Sequence, residues 1–344
     1  MVIEEIIQFL YKKKINTLVV HGLKTSNHTH RYIHESIYNT FLHIASNFPH
    51  YTIQVNWYND DVCSPNNYNT NDKYLIFSTP HIETDIHLPI LDNAYYILHY
   101  RKCKVYSDIP IVKYDHLLQT KRAVKYVEFR HSPDHINCID GVIKIEGTPF
   151  WFDSESNEMN IAWATNLFPT DINKNIEKIR KSKSPLFTLK SYFCGSIWRA
   201  NQVEIDYWVK LCESHNIDCI MDRQTDENVH QKCVMDSYLA HSIQGKSQRQ
   251  TSNKYYIPCR IFKNISYGAI PITNNIGVYN MLKDFRVIYD DDLDKLMEKA
   301  LGRYDEIQNN YEEYKHEQIR VMEYIRDHHT YLNRIATCIQ YGFY

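Results

Sequence analysis

At 344 residues, 43% of them hydrophobic and 23% charged, the chain has room for about two domains and the composition of a globular protein, which excludes disordered, collagenous and low-complexity classes. A formal charge of −2 supplies no global field to recruit nucleic acid or an anionic membrane, so neither is expected as a partner. Nine cysteines without a Cys-x-x-Cys spacing argue against a disulfide framework and for a reducing, cytoplasmic compartment, and no run nears the roughly 18 apolar residues of a transmembrane segment.

The opening Met1–Leu10 carries two acids inside its apolar run and predicts an amphipathic helix, not a signal peptide. Lys12–Lys14 and, later, Lys181–Lys183 read as solvated helix ends. Thr17–Val20 reads as a short buried strand, with His21-Gly22 directly after it. Ile33, Ile37, Phe41, Leu42 and Ile44 predict a helix over 28–46 with those residues facing inward. Tyr51–Trp57 alternates like a strand, 60–72 is rich in turn formers, and Tyr74–Phe77, Tyr95–Leu98 and Tyr126–Phe129 supply further strands. Met159–Trp163 reads as a strand ending in Ala164–Asn166. The interdomain linker is expected next, in a polar segment holding Pro169, a helix over 171–179 and Pro185. Phe187–Phe193 then opens a second unit and closes on Cys194-Gly195-Ser196. A helix over 202–215, a strand Asp218–Met221, a helix over 229–235 and a strand Ser237–His241 follow, and the tail from 306 to 340 is helical. This alternation predicts parallel, doubly wound sheets.

The richest stretch is Arg260–Asn275. Phe262 and Ile265 share a helix face, Gly268 suits the left-handed residue that stops a helix, and Ala269–Ile272 reads as an apolar strand delivering Thr273, Asn274 and Asn275 to its C-terminal end. In an open α/β sheet, ligands bind at that end. Arg260 and Lys263 lie three apart, so their cations point in similar directions and could straddle a diphosphate. Asn264, Thr273, Asn274 and Asn275 either contact the ligand or cap the next helix. Gly195 and Ser196 end a strand where backbone N–H groups and a hydroxyl could meet a phosphate, or form an ordinary turn. The polar loop Gln244–Asn253 offers Lys246, Gln248 and Arg249 as donors, with Tyr256 behind it as a further candidate contact; the competing reading is plain surface. Its Gly-Lys-Ser lacks the glycine-rich lead of a P-loop. His30 and His34 lack the intervening glutamate of a zinc-protease helix and read as exposed histidines. Asp290–Asp292 precedes a helix and reads as its cap. No obligate metal or other cofactor is expected.

Arg260-x-Phe262 with Gly268, Val287–Asp290, a helix over 293–301 and His329-Thr-Tyr-Leu-Asn-Arg334 together resemble the donor-binding part of group-1 glycosyltransferases, in particular their CgeB-type branch. The resemblance covers roughly 80 residues in order. It implies an α/β, GT-B-like fold, two Rossmann-like doubly wound domains facing a cleft. Residues 1–165 would form the acceptor-side domain, 166–325 the nucleotide-sugar donor domain, and the last helix, 326–344, would pack back on the first. Where the family carries a glutamate five positions before the glycine, this chain has Lys263, and Tyr255 stands at the partner position. A lysine accepts no hydroxyl proton but can hold a phosphate as a point charge. That departure implies a different donor contact or an inverting, fucosyltransferase-like enzyme.

The implied activity is transfer of a hexosyl or fucosyl group from a GDP- or UDP-linked sugar to a glycan or glycoside hydroxyl without a metal. Arg260 and Lys263 would meet the charge on the leaving diphosphate. In the resembled fold the His21-Gly22 loop faces the reacting sugar, so His21 would be the base, with His99 and Arg130-His131 at comparable strand ends. Two alternatives stand beside it: a nucleotide-sugar epimerase, which shares the architecture, and a non-catalytic nucleotide-sugar or glycan-binding protein.

Overall fold

A computed structural model describes residues 2–22, 24, 31–58, 68–78, 91–99, 125–130, 142–144, 151–154, 157–195, 197, 201–221, 226–246 and 257–344. The protein is α/β, with parallel sheets, and divides into two compact units. The first comprises Met1–Ile145, Phe150–Ile161 and Tyr331–Tyr344. Its elements are α1 (Val2–Lys13), β1 (Thr17–His21), α2 (Arg31–Ser46), β2 (Gln54–Tyr58), β3 (Tyr74–Ser78), β4 (Ala94–His99), β5 (Lys125–Arg130), β6 (Val142–Lys144), β7 (Trp151–Asp153) and β8 (Glu158–Asn160). They make one sheet of order β2-β1-β3-β4-β5-β8-β7-β6. Pairing is parallel from β2 through β8, and β7 and β6 add an antiparallel edge.

Strands β1, β3 and β4 are buried at every position. Covered parallel strands read as continuous apolar runs, which is why these three were visible without any alternation. Phe9 of α1 meets Tyr95 of β4 at 5.4 Å and Phe343 of the C-terminal helix, Tyr331–Phe343, at 5.8 Å. Fully burying such a ring is worth about 1.5–3 kcal/mol, so this side chain ties both ends of the chain to one core.

Several expectations differ here. Leu42, expected inward, is 43% exposed, because it lies one position off the stripe of Ile37, Phe41 and Ile44. His34, expected exposed, is fully buried, and its Nδ1–H donates to the Gly22 carbonyl at 2.8 Å. Tyr51–Ile53 does not extend as strand; β2 begins at Gln54, where pairing to Thr17 of β1 starts. The strand expected over Met159–Trp163 stops at Asn160, and Ile161–Ala164 continues as buried, non-strand chain.

The second unit is built on Ala162–Thr330. It contains α3 (Pro169–Lys181), β9 (Thr188–Phe193), α4 (Gln202–Ser214), β10 (Asp218–Met221), α5 (Glu227–Asp236), β11 (Ser237–Leu239), α6 (Cys259–Tyr267), β12 (Ile272–Thr273), α7 (Ile276–Leu282), β13 (Ile288–Tyr289), α8 (Leu293–Asn309) and α9 (Tyr311–His328). Two parallel sheets result, β10-β9-β11 and β12-β13. The segment expected to be a linker is instead α3, which buries Ile172, Ile176 and Ile179 within this unit. The division between the units falls before it, after Ile161. The strand expected over Ala269–Ile272 is only Ile272–Thr273, because Ala269 still closes the α6 stop through its N–H to the Asn264 carbonyl. Asp292 caps α8, accepting from the Asp294 and Lys295 amides. Among the described residues no helix is long and apolar enough to cross a membrane.

Gly268 ends α6 at φ 104° and ψ 13°. Its N–H bonds the Ile265 carbonyl at 2.9 Å, and an added Cβ would press on Ile179 Cδ1 at 3.0 Å. A left-handed backbone costs an L-residue about 1–2 kcal/mol. Gly268→Ala is therefore expected to lower stability by about 1–2 kcal/mol in equilibrium urea unfolding followed by circular dichroism. An unshifted midpoint would show that the turn relaxes around the new methyl.

Candidate functional site

Helix α6 is an unusual scaffold, because polar residues fill much of its buried surface. Ile261, Phe262, Asn264, Ile265, Ser266 and Tyr267 are all buried. Each buried polar group on it has a partner, as a dry environment requires. Asn264 Nδ2 donates to the Ala240 carbonyl at 2.9 Å, Ser266 Oγ meets Thr165 Oγ1 at 2.7 Å, and the Ser266 carbonyl accepts from Asn175 Nδ2 at 3.1 Å. Phe262 stacks on His329 at 4.3 Å and 11°. With these faces fixed, Arg260 and Lys263 are left partly exposed at the helix start.

Arg260 folds onto the end of β9. Its Nε–H donates to the Cys194 carbonyl at 3.0 Å, and its guanidinium carbon lies 4.1 Å from the centre of the Phe193 ring. The guanidinium also fills the space over Gly195, where any side chain would collide with it. Gly195 is thus needed for a close approach. On the same ring of Phe193, His241 stacks at 5.4 Å and 25°. His241 is fully buried, and its Nδ1 accepts from the Ile243 amide at 3.4 Å. The ring proton therefore sits on Nε2, which has no hydrogen-bond partner. Burial, then the Arg260 charge, push this histidine down to about 3.

Lys263 looks toward a cluster that the sequence did not announce. Glu227 opens α5 behind its cap, Asp226, whose carboxylate accepts from the Asn228 and Val229 amides. Although Glu227 is exposed as a residue, its Oε1 is tucked inward, accepting from Asn166 Nδ2 at 2.7 Å and from the Tyr267 hydroxyl. Burial raises this carboxyl, but the Lys263 charge and the two hydrogen bonds outweigh it and hold it below the usual carboxylate range. Tyr267 is raised well above an ordinary phenol by burial and by Glu227. His230, one turn along α5 from Glu227, bonds the Tyr192 hydroxyl at 3.0 Å through Nδ1. Burial first, partly offset by Glu227 and reinforced by Lys263 and Arg260, takes it down to about 4. Two cations, one ionised carboxylate and neutral histidines thus meet at one rim. The sequence signals were an Asp-Glu pair ahead of a helix and Tyr267 four residues after Lys263, on the same helix face.

The other candidates have structural partners. Asn275 caps α7, accepting from Gly277 and Val278 amides at 2.7 and 3.2 Å. Asn274 imitates a strand neighbour, accepting from the Gln244 amide and donating to its carbonyl, both at 2.9 Å. Thr273 Oγ1 donates to the Ser242 carbonyl at 3.2 Å. These three and Asn264 are all buried, so the rim's polar contacts run within the protein. Ser196, Gln248 and Tyr256 lie outside the described residues, as do Arg249 and His131. In the first unit, strand order reverses between β1's neighbours β2 and β3, the switch point where open sheets bind ligands. His21 and Gly22 are there, but His21 is fully buried, its Nδ1 bonded to the Tyr68 hydroxyl at 3.1 Å. The Gly22 carbonyl accepts from His34 and Trp57, each at 2.8 Å. His99 is also fully buried. Among the described residues no three His, Cys, Asp or Glu side chains converge as a metal site would need.

The neutral histidines make the second unit acid-sensitive. Unfolded, each takes a proton near its ordinary 6.5; folded, only near 4 for His230 and 3 for His241. Below pH 6.5 the unfolded state binds more protons, so stability falls as pH drops until the folded values are passed. The slope is about 1.4 kcal/mol per pH unit for each ring. His241→Phe is expected to make the fall in Tm between pH 6.5 and 4 shallower, measured by differential scanning calorimetry; an unaltered slope would place the acid sensitivity elsewhere. Compared with known proteins, the chain matches no family profile, no curated protein and no solved structure.

Proposed function

We propose that the second unit binds a nucleotide-diphosphate sugar and that the protein transfers the sugar to an acceptor hydroxyl. The observation carrying this reading is the guanidinium of Arg260 lying on Gly195 at the end of β9, with Lys263 and the ionised Glu227 beside it. A leaving diphosphate gains negative charge as the glycosidic bond breaks, and fixed cations lower that barrier because they need no reorganisation. The Arg260 fork suits two phosphate oxygens, and Lys263 acts as a point charge. Glu227 has its second oxygen, Oε2, for a ribose or sugar hydroxyl, since an ionised carboxylate only accepts. It supplies from α5 the acidic group that Lys263 displaces from α6. GDP and UDP sugars are both candidate donors, and a glycan or glycoside is the acceptor.

A second reading, binding without transfer, is favoured by the enclosure of His21, which offers no open base in this conformation. A sugar-transfer assay separates the two, and nucleotide release that depends on added acceptor separates transfer from epimerisation.

The test uses calorimetry and thermal shift with UDP, GDP and their sugars. A donor at 100 times its Kd is expected to stabilise the protein by about 2.7 kcal/mol. Arg260→Ala is expected to lower kcat about 100-fold, the scale of losing one transition-state donor. Gly195→Ala should keep the fold, since the colliding group is the end of a flexible side chain, yet weaken the donor by displacing Arg260. Nucleotide sugars that bind Arg260→Ala and Gly195→Ala as tightly as the native protein would overturn the proposal.

A further inference from the structure

The second unit carries two thiols whose placement serves no part of the sugar-nucleotide reading. Trp208 and Cys212 lie four apart on α4, hence on one helix face, and both are fully buried. That face meets a register pair of the sheet, Ser191 on β9 opposite Cys219 on β10. Trp208 Nε1 donates to Ser191 Oγ at 3.0 Å, which fixes the helix over the pair. Cys219 packs against the core that contains Cys212, and the two thiols are near enough to shift each other's acidity. The connection is a tight turn: His215 and Ile217 N–H groups return to the Cys212 carbonyl at 3.2 and 2.8 Å, and Asn216 takes a left-handed φ of 55°. Both cysteines are free thiols, Cys212 buried and Cys219 partly exposed.

We propose that Cys212 and Cys219 are a redox modification site, closing to a reversible disulfide under a peroxide and reopening under a dithiol. Cys219 is the attacking sulfur, being the accessible one; the neighbouring Cys212 thiol brings it down to about 7, against the raising effect of burial, and the thiolate is the reactive form. The Cys219 thiolate attacks one peroxide oxygen. The S–O bond forms, the O–O bond breaks, and hydroxide leaves to take up a proton as water. The Cys212 sulfur then attacks the sulfenic sulfur, the S–S bond forms, and the S–O bond breaks. The Cys212 proton leaves with the departing hydroxide as a second water. Two thiols lose two electrons and the peroxide gains them. The bond would fasten the last turn of α4 to β10, an edge strand of the sheet whose β9 ends at Phe193, two residues before Gly195.

Both cysteines fall on one tryptic peptide, Leu211–Arg223, bounded by Lys210 and Arg223, which makes the test direct. The intact protein is treated with hydrogen peroxide, quenched with N-ethylmaleimide under denaturing conditions, digested and mapped by mass spectrometry. The peptide is expected to lose two hydrogens and take up no maleimide, and to recover two maleimides after dithiothreitol. With Cys212→Ser, Cys219 is expected to stop at a sulfenic acid that dimedone traps. If the peptide keeps two maleimides while other cysteines oxidise, or if Cys219 is oxidised with Cys212 still alkylated, the proposal fails. The wild-type measurement stands even if the variant does not fold.

Discussion

The hydrogen-bond satisfaction of α6 is the constraint from which the candidate site follows. This nine-residue helix has six buried positions, and three of them, Asn264, Ser266 and Tyr267, carry polar groups. An unpaired buried polar group costs about 1–3 kcal/mol, comparable to a sizeable part of a domain's net stability. The helix can therefore sit in only one place: where Ala240, Thr165, Asn175, Asn166 and Glu227 meet its polar side. Once it sits there, Arg260 reaches the end of β9 and Lys263 faces α5. The cations are positioned by bonds that their neighbours on the same helix make.

How far this was readable depends on the distance over which each cause acts. The Gly268 stop and the Asp292 cap are decided within four residues, so composition and spacing sufficed. The buried strands β1, β3 and β4 were visible because covered parallel strands need apolar residues at every position. Glu227 was not visible, since its role depends on Tyr267, 40 positions away. Asn274 was ambiguous for the same reason: an asparagine at a strand end can serve a ligand or the backbone, and only Gln244, 30 positions upstream, decides. His34 misled because a polar ring on a helix was read as solvated, while the Gly22 carbonyl gives it a buried partner.

Local strain and unmet bonding are not spread evenly. Ser78 Oγ, His241 Nε2 and Ser242 Oγ are buried with no hydrogen-bond partner. Ser78 is the last residue of β3, and His241 and Ser242 follow β11. All three mark C-terminal strand ends, the edge where open α/β sheets present their ligand sites. Tyr314 Oη, on α9, is likewise buried without a hydrogen-bond partner but lies away from any strand end.

The charge arrangement reinforces that geography. Burial lowers His241 and His230 first, and the charge of Arg260, joined at His230 by Lys263, lowers them further, so protonation there would put more positive charge beside two fixed cations. Glu227 offsets part of that field and is itself held ionised by it. With both histidines neutral, no further positive charge is added beside Arg260 and Lys263. The acid response of the two rings is thus set by burial first and by this cationic field second, and a substitution at Arg260 should move only the second part.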